Sequence, residues 1–268
     1  MKKKKLVIIA GITGAIGTAL LEQYGSKKNT VVLGISRRAR KVEDFINQRT
    51  GKIYAETLIC SLSLISKECC EKFVSLIDFE KFSEITYIHC IGTYLFEIDK
   101  DGHFIVSNDK DKDGINDECM MLSCNLFQWM TKPLITRTKN HLACVIFGGL
   151  PDKHRPRIIQ SWWKTMILVE EYMKNIADER VGMHVFNISS VLCPHELMTR
   201  PYVFVNTEAD PQAWLLPSQL ARLVRQKLRK NKGGYYKSDI FNPWSGFFEE
   251  FYLDEHMVPI KLAEVQKK

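Results

Sequence analysis

Residues 6–24, LVIIAGITGAIGTALLEQY, constrain the fold more than any other part of the chain. Leu6 to Ala10 is a short, continuous apolar run of the kind needed by a strand buried on both faces. Beyond Gly14 the period changes, and Ile16, Ala19, Leu20 and Tyr24 fall on one face of a helix. Between them lies Gly11-Ile12-Thr13-Gly14-Ala15-Ile16-Gly17, a glycine-rich turn from strand to helix. Missing side chains let such a backbone approach a pyrophosphate, and the helix start offers it free N–H groups and a favourable dipole. Gly11, Thr13, Gly14, Ile16 and Gly17 are therefore candidate nucleotide-binding residues. Lysines followed by an apolar run also resemble an export signal, but a cleavage site after small residues should then follow. Leu21, Glu22, Gln23 and Tyr24 follow instead. The expectation is a strand–turn–helix in a cytoplasmic protein, with Lys2 to Lys5 as its solvated start.

The rest of the chain alternates in the same way. Strands are expected at Thr30–Ile35, Tyr54–Ile59, Ile85–Ile91, Leu142–Phe147, Met183–Ile188 and Gly234–Ile240. Helices are expected at about Val42–Asn47, Ser66–Ile77, Cys119–Thr138, Ile159–Ala177 and Ser218–Arg229. This order predicts βαβ units, a mainly parallel, doubly wound Rossmann-type sheet and helices on both faces. No internal repeat or low-complexity linker interrupts the 268 residues, so a single domain over 1–268 is expected. Ligands in such sheets sit beyond the carboxyl ends of the strands. The Gly11–Gly17 turn, Arg37, Gly92 and the loops after Phe147 and Ile188 should meet there.

Composition narrows the function classes. The formal charge is +7, but much of it sits in Lys2–Lys5, Arg222–Lys232 and Lys267–Lys268. Such clusters read as solvated ends and helix faces, and a nucleic-acid partner is not expected. No later apolar stretch reaches the roughly 20 residues that a membrane span needs. The 8 cysteines form no CxxC pair, and several lie in apolar runs where a thiol acts as a small hydrophobe. A zinc site and a disulfide framework are both disfavoured, as suits a reducing compartment. Arg37 ends the second strand in GISRRARK, which holds no acidic residue to accept ribose hydroxyls. An arginine there suits a 2′-phosphate, so NADP is favoured as cofactor, with NAD as the alternative.

From about Lys4 to Lys237 the chain resembles the short-chain dehydrogenase/reductase family. Ala10-Gly11-x-x-x-Ala15-x-Gly17 resembles its TGxxx[AG]xG motif, with alanine in place of the leading threonine, and also fits the GxxGxxG variant. His89-Cys90-Ile91-Gly92 stands where the family has NNAG. Asn125, in CNLFQW, is similar to the asparagine that holds the active-site lysine's water. Lys164 and the 25 residues after it follow the family's lysine helix and next strand in spacing. The resemblance implies Lys164 and Asn125 as catalytic candidates, with Lys164 also gripping cofactor hydroxyls, and Gly92 at the cofactor.

The departures bear on activity. The family's YxxxK motif reads Gln160-Ser161-Trp162-Trp163-Lys164 here, without the tyrosine. Phe147-Gly148-Gly149 occupies the expected place of the catalytic serine. In the family the tyrosine donates a proton to the developing alkoxide, the serine orients the carbonyl and the lysine lowers the tyrosine's pKa. Glutamine cannot act as a general acid at neutral pH, and a positioned acid is worth roughly 10²–10⁴ in rate. Asp152, His154, Ser161 and His195 lie in or near the right loops, but none is expected to restore it. Two readings stay open, an atypical NAD(P)(H)-dependent oxidoreductase of a small carbonyl or hydroxyl compound, and a nucleotide-binding pseudoenzyme acting as sensor or assembly partner.

An acidic insertion at about 93–118 separates Gly92 from Asn125. Asp99-Lys100-Asp101-Gly102 suits a hairpin turn. Asp109, Asp111, Asp113, Gly114 and Asp117 follow the start of a calcium loop, but its twelfth position is Met120 rather than a bidentate glutamate. A solvated loop whose Asp117 caps the next helix is the expectation, with calcium the alternative. The aromatic segment FNPWSGFFEEFYLDEH opens a C-terminal extension over about 241–268, suited to covering the core or to a homo-oligomer contact.

Overall fold

The computed structural model describes residues 3–37, 57–61, 66–92, 97–98, 104–105, 115, 117–149, 160–189, 191–192, 214–230, 232–240, 251–253 and 259–261. Helix 42–47, Asp109, Asp111, Asp113, Asp152, His154, His195 and most of the aromatic extension lie outside those residues.

β1 (Lys4–Ala10) is central because Leu6–Ala10 are buried throughout. It pairs in parallel with β2 (Thr30–Ser36) on one side and β4 (Phe82–His89) on the other. β3 (Thr57–Ser61) extends the sheet beyond β2. Beyond β4 come β7 (His141–Gly149), β8 (Val181–Ile188) and β9 (Gly234–Ile240), all parallel. The order is β3-β2-β1-β4-β7-β8-β9. Strand order therefore reverses between β1 and β4, and the crevice above that point is where doubly wound sheets hold ligands.

Alternation along the strands divides the core into two. Leu6, Ile8, Tyr87, Cys144, Ile146 and Val185 face one layer, which holds α2 (Lys67–Ser75), α4 (Leu126–Arg137) and α5 (Gln160–Ile176). Val7, Ile9, Ile88, Val145 and Phe186 face the other, which holds α1 (Ala15–Gly25) and α6 (Pro217–Lys230). Side chains of period two on the strands and near 3.6 on the helices produce this layering directly. Ser66 caps α2 by accepting from the Cys69 N–H at 3.3 Å. α6 begins on Pro217, and Gln219 Oε1 accepts from the Leu216 N–H at 3.1 Å, half of a capping box.

Two small hairpins lie outside the main sheet. β5 (Glu97–Ile98) pairs antiparallel with β6 (Phe104–Ile105), while the expected turn at 99–102 lies outside the described residues. β10 (Phe251–Leu253) pairs antiparallel with β11 (Pro259–Lys261) within the aromatic extension. The expected helix from Cys119 begins earlier and is not uniform. It starts as α3 (Asp117–Cys119), passes through a π-helical turn (Met120–Asn125) and continues as α4. Asp117 is its first residue rather than the cap ahead of it, and with Glu118 puts two carboxylates where the helix dipole favours them. Cys69, Cys70, Cys90, Cys119, Cys124 and Cys144 are free thiols. Among the described residues no helix is long and apolar enough to cross a membrane.

Candidate functional site

The glycine-rich turn leaves β1 at the switch point. Gly11 has φ +82°, a conformation natural to glycine, and a Cβ there would meet the Cys90 carbonyl oxygen at 2.8 Å. A Cβ on Gly17 would meet Gly11 O at 2.3 Å and Ile12 Cα at 2.7 Å. Both contacts are with backbone, so the first helical turn lies against the strand end only because Gly17 lacks a side chain. Gly14 is the N-cap of α1, and among the described residues its side-chain position has one neighbour, Gly11 O at 3.4 Å. Thr13 and Gly14 are exposed, and Ile16 is half-buried. The first N–H groups of a helix have no partner within it, so this start is a backbone surface able to receive an anion.

The second strand holds the turn in place. Gly11 and Ile12 donate to Ile35 O at 3.0 and 3.3 Å, and Ser36 Oγ donates to Thr13 Oγ1 at 3.5 Å. Thr18 Oγ1 closes the turn from the helix side by donating to Ile12 O at 3.1 Å. Gly34 is a residue that the motif does not reveal. A Cβ there would stand 2.2 Å from Ile12 Cδ1, so a bare stretch of β2 gives the turn's isoleucine its seat. The signal was a glycine inside the branched strand TVVLGIS, a pattern that marks close approach. Arg37 follows β2 and is exposed beside this turn.

Across the switch point, Gly92 lies against α5 and the π-helical turn. Its side-chain position is 2.9 and 3.0 Å from ring carbons of Trp162 and 3.6 Å from Ser123 Oγ. Trp162 and Ser123 are buried, and Ser123 Oγ has no hydrogen-bond partner among the described residues. Asn125, half-buried, ends the π-helical turn, which packs against α5. Lys164 is half-buried on α5, with Nζ 5.9 Å from the centre of the Trp163 ring. Gln160 begins α5 one turn before Lys164, and Ser161, between them, is buried.

The remaining ends of the sheet complete the carboxyl edge. Gly148 and Gly149 are buried at the end of β7, in register with Asn187 and Ile188 of β8. Asn187 is buried and donates to Asp239 Oδ1 of β9 at 3.1 Å. The fold thus brings the glycine-rich turn to Cys90, and Gly92 to Trp162 and the π-helical turn. Sequence reasoning missed Ser123 and Trp162, because nothing in their local pattern distinguishes them from ordinary helix residues.

No protein-family model and no curated protein matches the sequence. Solved structures match it by shape. Serine dehydrogenase from Escherichia coli is 11% identical over 88% of this chain and 96% of its own, with a TM-score of 0.60. A short chain dehydrogenase from Escherichia coli CFT073, complexed with NADPH, is 15% identical over 88% and 96%, with a TM-score of 0.65. A short-chain dehydrogenase/reductase (glucose/ribitol dehydrogenase) from Brucella melitensis is 12% identical over 91% and 98%, with a TM-score of 0.67. The class of fold is therefore the Rossmann-type α/β sheet that short-chain dehydrogenases share.

Proposed function

We propose that this chain binds NADP(H) at the crevice between β1 and β4. The observation that carries this reading is the cradle itself, in which Gly11 has positive φ, Gly17 has no room for a Cβ and the helix start is exposed at Thr13 and Gly14. A pyrophosphate fits such a backbone surface, and the NADPH in one solved structure of the same fold is in keeping with it. Arg37 supplies a guanidinium for the 2′-phosphate, and Lys164 an ammonium for ribose hydroxyls. Bound there, a nicotinamide supplies or accepts a hydride, and the chemistry belongs to an oxidoreductase of a small carbonyl or hydroxyl compound.

A second reading is favoured by Gln160 and by the glycines at 148 and 149. Without a general acid four residues before Lys164, the chain holds the dinucleotide without efficient turnover and acts as a sensor or assembly partner. One titration tests what the two readings share. NADPH and NADH are added to the protein while nicotinamide fluorescence is followed. NADPH is expected to bind more tightly, with Arg37→Ala removing most of the difference. Failure of both dinucleotides to bind would falsify both readings. Turnover of a carbonyl panel by the unaltered protein rejects the second, whereas turnover that appears only in Gln160→Tyr with Gly148→Ser rejects the first.

A further inference from the structure

His89, the last residue of β4, stands three residues before Gly92 and is 1% exposed. Both ring nitrogens are engaged. Nε2 lies 2.8 Å from the carbonyl oxygen of Leu122, and Nδ1 lies 2.8 Å from Tyr87 Oη. A carbonyl only accepts, so Nε2 carries the hydrogen and Nδ1 accepts the Tyr87 O–H. Tyr87 is also fully buried, and Phe127 encloses the pair, with its ring 6.0 Å from Tyr87 and 5.7 Å from His89. The imidazole is thus held in one tautomer and one orientation.

What it holds is the irregular part of the site. Leu122 lies within the π-helical turn, a local departure from helical pairing of the sort that recurs at functional positions. The next residue, Ser123, backs Gly92 together with the Trp162 ring. Two turns of chain, Gly92 after β4 and Met120–Asn125 before α4, therefore meet where His89 spans between them. An aliphatic side chain would leave Tyr87 Oη without its acceptor and take the side-chain donor from Leu122 O. Loss of a partner for a buried polar group costs more than an ordinary hydrogen bond contributes.

We propose that His89 is a positioning residue for the cofactor site, fixing the π-helical turn and with it the place of Ser123 beside Gly92. It acts through the backbone at Leu122 rather than by touching the dinucleotide. The inference rests on the NADP(H) reading above, and its test separates the two. Wild type, His89→Leu and His89→Gln are titrated with NADPH as full chains, and amide hydrogen exchange over residues 120–126 is followed without cofactor.

His89→Leu is expected to raise the Kd for NADPH and to speed exchange in the π-helical turn, each by about tenfold. Glutamine carries an amide donor at similar reach, so His89→Gln should bring both to within about threefold of wild type. A uniformly structural role predicts lower stability in both variants with an unchanged Kd for the folded protein. Equal affinity of wild type and His89→Leu, or no rescue by glutamine, overturns the positioning role and leaves the cofactor reading standing. Wild type that binds neither dinucleotide overturns the cofactor reading, and this inference with it. Should His89→Leu fail to fold, Tyr87→Phe removes just the hydroxyl that bonds Nδ1 and helps orient the ring. A roughly threefold rise in Kd supports the inference there, and no change overturns it.

Discussion

At the scale of single residues, three glycines of one turn do three different jobs, and substitution should separate two of them. Gly17→Ala drives a methyl into the Gly11 carbonyl oxygen and Ile12 Cα, neither of which can step aside. Its expected cost is about 3 kcal/mol of stability, at the upper end of ordinary overpacking. Gly14→Ala meets, among the described residues, one ordinary contact at 3.4 Å, so the fold should lose less than about 1 kcal/mol as a helix cap is altered. Its methyl nevertheless stands on the exposed helix start proposed for the pyrophosphate. Urea unfolding should therefore find Gly17→Ala unstable and Gly14→Ala near wild type, while NADPH titration finds Gly14→Ala weak. Gly11, Gly14 and Gly17 were legible in the sequence because a strand-to-helix turn repeats a known geometry. Gly34 and His89 were not, since their importance comes from Ile12 and Leu122, partners that only the folded chain brings to them.

At the scale of elements, the main strands were readable because burial on both faces leaves an unbroken apolar run, as in β1 and β7. β9 matched its expected span, and β3 runs over Thr57–Ser61, past its expected end at Ile59, while the expected start at 54–56 lies outside the described residues. The π-helical turn was invisible, because MMLSCN has no breaker and fits a regular helix equally well. Nor did the pattern show what anchors β9, the edge strand beyond β8. Glu170 of α5 accepts from Tyr235 Oη at 3.0 Å and from Lys237 Nζ at 2.5 Å, with its own side chain 15% exposed. The carboxylate and burial hold the Tyr235 hydroxyl well above its ordinary range, burial being the larger cause. Glu170→Ala should cost about 1–2 kcal/mol after allowance for the exposed lysine, read as a fall in the urea midpoint. Tyr235→Phe in the same background should add much less than it does alone, since the shared carboxylate is already gone.

At the scale of the whole molecule, the place proposed for the site followed from topology before any side chain was positioned. Reversal of strand order between β1 and β4 opens the crevice, and the glycine-rich turn and Gly92 are the chain segments leaving those strands. What topology could not supply is how the two layers respond together, and the buried histidines bear on that. His89 lies in the layer of α4, and His184 lies in the opposite layer between Phe186 and Tyr236, with ring centres 6.1 and 5.0 Å away. Burial lowers both to about 4 from the ordinary 6.5; backbone groups of Leu122 and Ile91 oppose it weakly at His89, and the charge of His141 adds to it at His184. Both rings are therefore neutral in the folded chain near neutrality. Above pH 6.5 the unfolded chain holds them neutral too, and their contribution to stability is complete. Between pH 6.5 and about 4 the unfolded chain binds protons that the folded chain refuses, so stability falls, by on the order of 3 kcal/mol per histidine. Below about pH 4 both states are protonated and this loss levels off. Urea unfolding at pH 7.5, 6.5, 5.5 and 4.5 should follow that course, roughly. His184→Leu, which removes a ring with no hydrogen-bond partner among the described residues, should flatten about half of the slope. An unchanged slope in that variant would mean that His184 takes up its proton in the folded state, and that the stack with Tyr236 opens well before the sheet does.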